Sequence, residues 1–160
     1  MTTPADTAPS SPGPWAGADT VFDALEGTWD LDRTIENQAT MRGIAVFERL
    51  DNGAFKYREE GRLRLVDGKA FDAHREYRFE RTPRGFAVYF DEAPPRLFHQ
   101  IEVLRHGAGF AGSATHLCAP DTYDSSYRFA AGGSFAIQHT VHGPRKAYVS
   151  RTVFTRRAAT

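Results

Sequence analysis

Apolar and polar positions alternate with a period of two along most of this chain, and a helical period is confined to one short stretch near its start. Thr20 is placed to cap a short helix, VFDALEG, that ends at Gly27 as helices often do. Beyond it, runs rich in aromatic and β-branched residues are punctuated by Gly, Asp, Asn and Pro. These runs predict strands at about 28–36, 42–50, 54–66, 69–82, 85–91, 96–105, 109–118, 122–131, 134–142 and 146–157. Turns such as Asp51-Asn52-Gly53, Val66-Asp67-Gly68 and His142-Gly143-Pro144 join several of them into local hairpins. No helix is long enough for a parallel crossover, and an open meander of this length would leave exposed edges. The expected fold is all-β: a single up-and-down antiparallel barrel of about ten strands with a short N-terminal helix.

One hairpin fixes its own register. In the run 54–66 the apolar set falls on odd positions, Phe55, Tyr57, Leu63 and Leu65, with Lys56, Arg58, Glu60, Arg62 and Arg64 between them. The next run also places Phe71, Ala73, Tyr77 and Phe79 on odd positions. A two-residue Asp67-Gly68 turn would set odd against even. A three-residue loop with Gly68 in the left-handed position restores the match. The inward pairs then become Leu63–Phe71, Gly61–Ala73, Glu59–Arg75, Tyr57–Tyr77 and Phe55–Phe79. Register alone therefore sets Glu59 against Arg75 on the inward face, and predicts that Arg75→Ala would strand a buried carboxylate.

Composition narrows the classes of function. A chain of 160 residues suits one domain, and one of this size buries enough surface to need no disulfide or metal staple. Lys and Arg together number 20, as do Asp and Glu, so the formal net charge is zero and no basic excess marks a nucleic-acid binder. The single cysteine, Cys118, rules out an internal disulfide, and the expected location is cytoplasmic. No apolar run approaches the ~20 residues that span a membrane. Residues 1–19, rich in Pro, Ser, Thr and Ala, read as a disordered tail preceding a barrel domain over 20–160.

Three constellations could carry chemistry. Glu59 and Arg75, with Tyr57 and Tyr77 beside them, form either a buried pair that fixes register or the polar floor of a cavity in which arginine holds a carboxylate or phosphate. In HLCAPDTYDSSY, His116 and Cys118 share a strand face, and Tyr123 and Tyr127 share another. A metal there would need a third ligand such as His99 or His139, and no metal is expected; Cys118 reads as a packed small residue. In HGPRKAYVSR, Arg145, Lys146 and Tyr148 follow a tight turn, as a solvated rim or a cationic mouth. His99 faces inward as a proton carrier or as a satisfied half-buried histidine. A phosphate loop, GxSxG, HExxH and paired CxxC are all absent from the sequence.

Gly27-Thr28-Trp29, opening the first strand after a short helix, resembles the Gly-x-Trp signature of lipocalin-like (calycin-like) barrels. That resemblance implies a Trp closing the barrel base under an arginine of the last strand, Arg151 or Arg156. The runs GTWDLDRTI, GIAVF, YREEGRL, Ala73 to Phe79, LFH, HLCAPDTYDSSYRF and VHGPRKAY also resemble a family of short bacterial proteins catalogued as a domain of unknown function. The expected function is a barrel holding a small polar or anionic ligand. Its site residues would be Tyr57, Glu59, Arg75, Tyr77, His99, His116, Tyr123, Tyr127, Arg145, Lys146 and Tyr148. The alternatives are an enzyme using Tyr, His and Glu for acid–base chemistry, and a haem-binding barrel with His99, His116 or His139 as axial ligand. Tuning of a His or Glu toward neutrality separates enzyme from carrier. The sequence singles out no catalytic residue or cofactor, and leaves room for a homodimer.

Overall fold

The computed structural model describes residues 13–157. A four-residue helix, α1 (Val21–Ala24), precedes eleven strands: β1 (Gly27–Ile35), β2 (Ala39–Arg49), β3 (Phe55–Leu65), β4 (Ala70–Thr82), β5 (Gly85–Phe90), β6 (Arg96–Glu102), β7 (Leu104–His106), β8 (Gly109–Cys118), β9 (Asp121–Phe129), β10 (Phe135–His142) and β11 (Ala147–Arg156). All pairings are antiparallel, in the order β6-β5-β4-β3-β2-β1-β11-β10-β9-β8-β7. The sheet is thus a nearly closed up-and-down barrel, as the alternating pattern predicts. The expected run 96–105 is divided at Val103, which is why eleven strands stand where ten were read. The buried Val103 is where the chain bends: β6 pairs with β5 while β7 pairs with β8, so one bent stretch closes the barrel.

The predicted β3–β4 register holds at every pair, Glu59 opposite Arg75 included. Gly68 adopts φ +91°, a left-handed conformation that side chains resist, and Leu65 N–H donates to Lys69 O at 2.8 Å to close the three-residue loop.

Inward side chains divide the interior into two halves. The base is apolar and filled: Trp29, Phe47, Phe55, Phe79, Phe86, Phe129, Phe135 and Phe154 are buried in contact with one another. Arg156, one of the two arginines named by the Gly-x-Trp resemblance, lies with its guanidinium carbon 4.1 Å from the Trp29 ring centroid. Its Nη1 donates to Glu26 O at 2.9 Å and its Nη2 to Ala24 O, and Trp29 Nε1 donates to Leu25 O at 2.9 Å. Carbonyls left unpaired at the end of α1 are thereby satisfied. Thr20 makes no side-chain cap. Its hydroxyl turns away from the helix to accept from Gly17 N–H at 2.8 Å and donate to Trp15 O.

The expected tail does not hold over 13–19. Trp15 is 2 % exposed, stacks on Trp29 at 6.0 Å between centroids, and donates from Nε1 to Ala130 O at 2.8 Å. An aromatic side chain supplies more apolar surface than its Pro- and Ser-rich neighbours suggest, and here it plugs the base. Residues 1–12 of the expected tail lie outside the described residues. Trp15→Ala should destabilise the fold by about 3–5 kcal/mol in urea unfolding; a loss below about 1 kcal/mol would place Trp15 outside the core.

Candidate ligand-binding cup

Above the apolar base the barrel opens into a bowl of about 480 Å³. A recess of about 30 Å³ lies at its floor and shares Arg33, Glu59, Arg75, Tyr77, Phe98 and His139 with it. The walls follow from strand alternation. On β1, Trp29 and Leu31 face the base, so Arg33 is the next inward residue. On β10, Phe135 and Ile137 are followed inward by His139. On β11, Phe154 and Thr152 lead up to Ser150.

The floor is built differently from the sequence expectation. Glu59, 1 % exposed, is paired with Arg33 rather than Arg75. Arg33 Nη1 donates to Glu59 Oε2 at 2.7 Å and Nη2 to Oε1 at 3.0 Å, in bidentate geometry, while its Nε donates to Thr152 Oγ1 at 2.7 Å. The Tyr57 hydroxyl adds a bond to Glu59 Oε1 at 3.0 Å. Burial, then the charge of Glu59, drives the Tyr57 pKa well above its ordinary value, so this hydroxyl remains a donor. Being opposite in register brings backbones together, but it is Arg33 on β1 whose fork reaches over the intervening β2 to the carboxylate.

Arg75 is consequently released from the floor. It has no carboxylate partner within ion-pair distance among the described residues, and its guanidinium carbon lies 5.9 Å from the Tyr77 ring centroid. Burial opposes its charge, but Tyr77 and Glu59 outweigh that effect and raise its pKa. Water reaches it through the bowl. Since Arg33 and Glu59 cancel, Arg96 at the rim pairs with Glu92 at 3.3 Å, and the lining carboxylate Glu76 pairs with Arg58 on the outer face, Arg75 leaves the cup with an uncompensated positive charge.

A register shift between β5 and β6 puts Val88 opposite His99 and Tyr89 opposite Leu97, leaving Phe98 as an extra residue. Phe98 and His99 are therefore adjacent in sequence yet both buried. Phe98 stacks between Phe90, at 4.7 Å and 10°, and His139, at 5.4 Å and 20°. His99 Nε2 lies 2.6 Å from the Tyr127 hydroxyl, and His99 Nδ1 has no partner. Burial, reinforced by His139 and His116, lowers the His99 pKa to about 3. His139 shares a 2.8 Å hydrogen bond between Nδ1 and Ser125 Oγ; burial, then Arg33 and Arg75, lowers its pKa to about 4 against a smaller pull from Glu59.

Of the residues singled out in the sequence, Glu59, Arg75, Tyr77, His116, Tyr123 and Tyr148 line the bowl, and Tyr57, His99 and Tyr127 border the recess. Arg145 and Lys146 line neither. Both are exposed on the β10–β11 loop, with Lys146 Nζ 3.7 Å from Asp121 Oδ2. Cys118 lines the bowl, half-buried, beside His116 rather than packed in the core. Arg33 and Ser150 are cup residues that the sequence reading did not name, and His139, weighed there only as a metal or haem ligand, lines the bowl together with Phe98. No three His, Cys, Asp or Glu side chains among the described residues gather in a group that could hold a metal.

Fold and cup together define a small antiparallel β-barrel with a plugged apolar base and an open, polar-floored mouth. The chain belongs to the family of unknown function DUF6314, whose model matches residues 25–156. No curated protein matches it in sequence. Among solved structures it is similar to a redesigned β-barrel, at 13 % identity and TM-score 0.42 over 84 % of this chain and 92 % of that one. It is also similar to a de novo designed fluorescence-activating β-barrel, at 11 % identity and TM-score 0.41 over 85 % and 96 %. A third is a redesigned β-barrel bound to DFHBI, at 12 % identity and TM-score 0.37 over 82 % and 94 %. No helix of the described residues is long and apolar enough to cross a membrane.

Two outcomes follow from the floor. Arg33→Ala should cost about 3–5 kcal/mol in denaturant unfolding, because it strands Glu59, whereas Arg33→Met with Glu59→Leu should cost much less. Arg75→Ala should cost under about 1 kcal/mol; a large loss there would restore the Glu59–Arg75 pairing. A second outcome concerns pH. His99 and His139 have folded pKa values below the unfolded value near 6.5, so the folded state binds fewer protons. Their contribution to stability is complete above about pH 6.5 and is lost as pH falls through about 4 and then 3. Thermal melts should show this decline, shallower in His139→Asn; identical slopes would mean that His139 is protonated as readily in the fold as in the unfolded chain.

Proposed function

We propose that this barrel binds a small organic anion in its cup, with Arg75 as the anion-holding group. One observation carries the reading: Arg75 is the cup's uncompensated cation, because Arg33 already neutralises Glu59. Arginine offers a fork that suits carboxylate or phosphate. Tyr77, Phe90, Phe98 and Tyr123 supply apolar wall around that charge, the usual composition of a small-molecule site. Tyr123 and Tyr148 lie toward the mouth; burial, then the neighbouring Tyr148, raises the Tyr123 pKa, which keeps its hydroxyl a donor.

Binding is supported over acid–base catalysis by the direction of the histidine shifts. A general acid or base is tuned toward the working pH, while His99 and His139 move away from it, to about 3 and about 4.

Isothermal titration calorimetry with 3-phenylpropanoate and its neutral amide tests the proposal. The carboxylate should bind the wild type, and both Arg75→Gln and the change to amide should weaken binding by about 10- to 100-fold, the value of a charged hydrogen bond. Equal affinity of wild type and Arg75→Gln for the carboxylate would reject Arg75 as the anion site.

A further inference from the structure

The floor of the cup contains a second unmet polar group. His99 is 4 % exposed, borders the 30 Å³ recess, and carries the one buried side-chain nitrogen or oxygen without a partner among the described residues, Nδ1. A buried polar atom without a hydrogen bond costs free energy, and such atoms in native proteins call for a reason. The proton arrangement follows from the neighbours. With its pKa at about 3 the ring is neutral, so one nitrogen donates and the other accepts. Tyr127 O–H donates to Nε2, which satisfies the tyrosine and leaves Nδ1–H as a spare donor. The reverse assignment would leave the tyrosine proton unmet as well. The recess therefore suits a single small acceptor, since about 30 Å³ admits one hydroxyl-sized group.

Two anchor points then stand at different depths. The Arg75 guanidinium lies beside Tyr77, while His99 shares its level with Val88 and Phe79. Two residues of strand separate Tyr77 from Phe79, roughly 7 Å at the usual rise, which is about the distance across one aromatic ring between an acid group and an oxygen on its far side. Between the levels the bowl is bounded by aromatic side chains, Tyr77 and Phe98, that line both bowl and recess.

Resting on the anion-binding reading of the cup, we infer that the ligand is an aryl carboxylate carrying an oxygen substituent remote from its acid group. The carboxylate sits on Arg75, the ring lies against Tyr77 and Phe98 at the bottom of the bowl, and the oxygen enters the recess to accept from His99 Nδ1–H. The inference concerns binding alone and involves no bond-making step.

The test compares 3-(4-hydroxyphenyl)propanoate with 3-(4-methylphenyl)propanoate by calorimetry on the wild-type protein. The two are nearly equal in size, and the methyl compound is the more hydrophobic, so recess filling alone favours methyl. Hydrogen bonding to His99 reverses the order, with the hydroxyl compound about tenfold tighter. In the double variant His99→Leu with Tyr127→Phe, which removes both partners of the existing bond, that preference should vanish, and a tenfold preference for the hydroxyl compound that survives it overturns the inference. Equal or tighter binding of the methyl compound by the wild type overturns the inference and leaves the anion site standing. Failure of both compounds, together with 3-phenylpropanoate, overturns the inference and the anion-binding reading together. The wild-type comparison decides the matter even if the double variant does not fold.

Discussion

The bidentate pair between Arg33 and Glu59 is the contact on which the cup depends. It lies where the apolar base gives way to the polar bowl, and it ties β1 to β3 over the inner face of the intervening β2, where Met41 lies against the Arg33 guanidinium. A buried carboxylate is costly unless its lone pairs are filled, and here two guanidinium nitrogens and the Tyr57 hydroxyl fill them. Thr152 holds the remaining Nε of Arg33, which connects β11 to the same network. With the acid fully occupied from one side, the arginine directly opposite it in register is left facing the bowl. The same buried charge that organises the floor thus determines which cation is free above it.

The bulge in β6 has a comparable effect on the wall. A regular strand would send Phe98 and His99 to opposite faces, one of them into solvent. The extra residue turns both inward, so that an aromatic ring covers the wall and a neutral imidazole reaches the recess. Bulges are common next to binding sites because they re-aim side chains in this way. Desolvation follows from the same placement and is the main reason that the ring stays uncharged.

Much of this was legible in the chain. Parity in β3 and β4 was enough to derive the hairpin register to the residue, because one face of that hairpin is buried and a slip would invert it. The same count extended to β1 would have found Arg33, since Trp29 and Leu31 set the inward parity that Arg33 continues; His139 follows Phe135 and Ile137 likewise. What parity does not contain is reach. Arg33 and Arg75 are both inward, and only the three-dimensional path of the side chains decides which one meets Glu59. Nor does it contain the bulge, which breaks the period of two at the site itself, or the burial of Trp15, whose partners Phe129 and Phe135 are far along the sequence.

Closure by the bent β6–β7 stretch bears on how the chain acquires its shape. Most neighbouring strand pairs are hairpins between consecutive segments, which cost little loop entropy to form. The pairing of β1 with β11, which aligns Leu31 with Phe154, joins nearly opposite ends of the chain. Non-local pairings of this kind must wait for the local ones to shorten the effective loop, and they set the folding rate of small β-proteins. Arg33 and Thr152 meet across that same pair of strands. The Arg33–Glu59 pair itself lies within the consecutive strands β1–β2–β3, and only its bond to Thr152 depends on the ends having met, so a chain whose hairpins are formed but whose ends are apart holds that ion pair on an open sheet, with no facing wall to enclose a ligand.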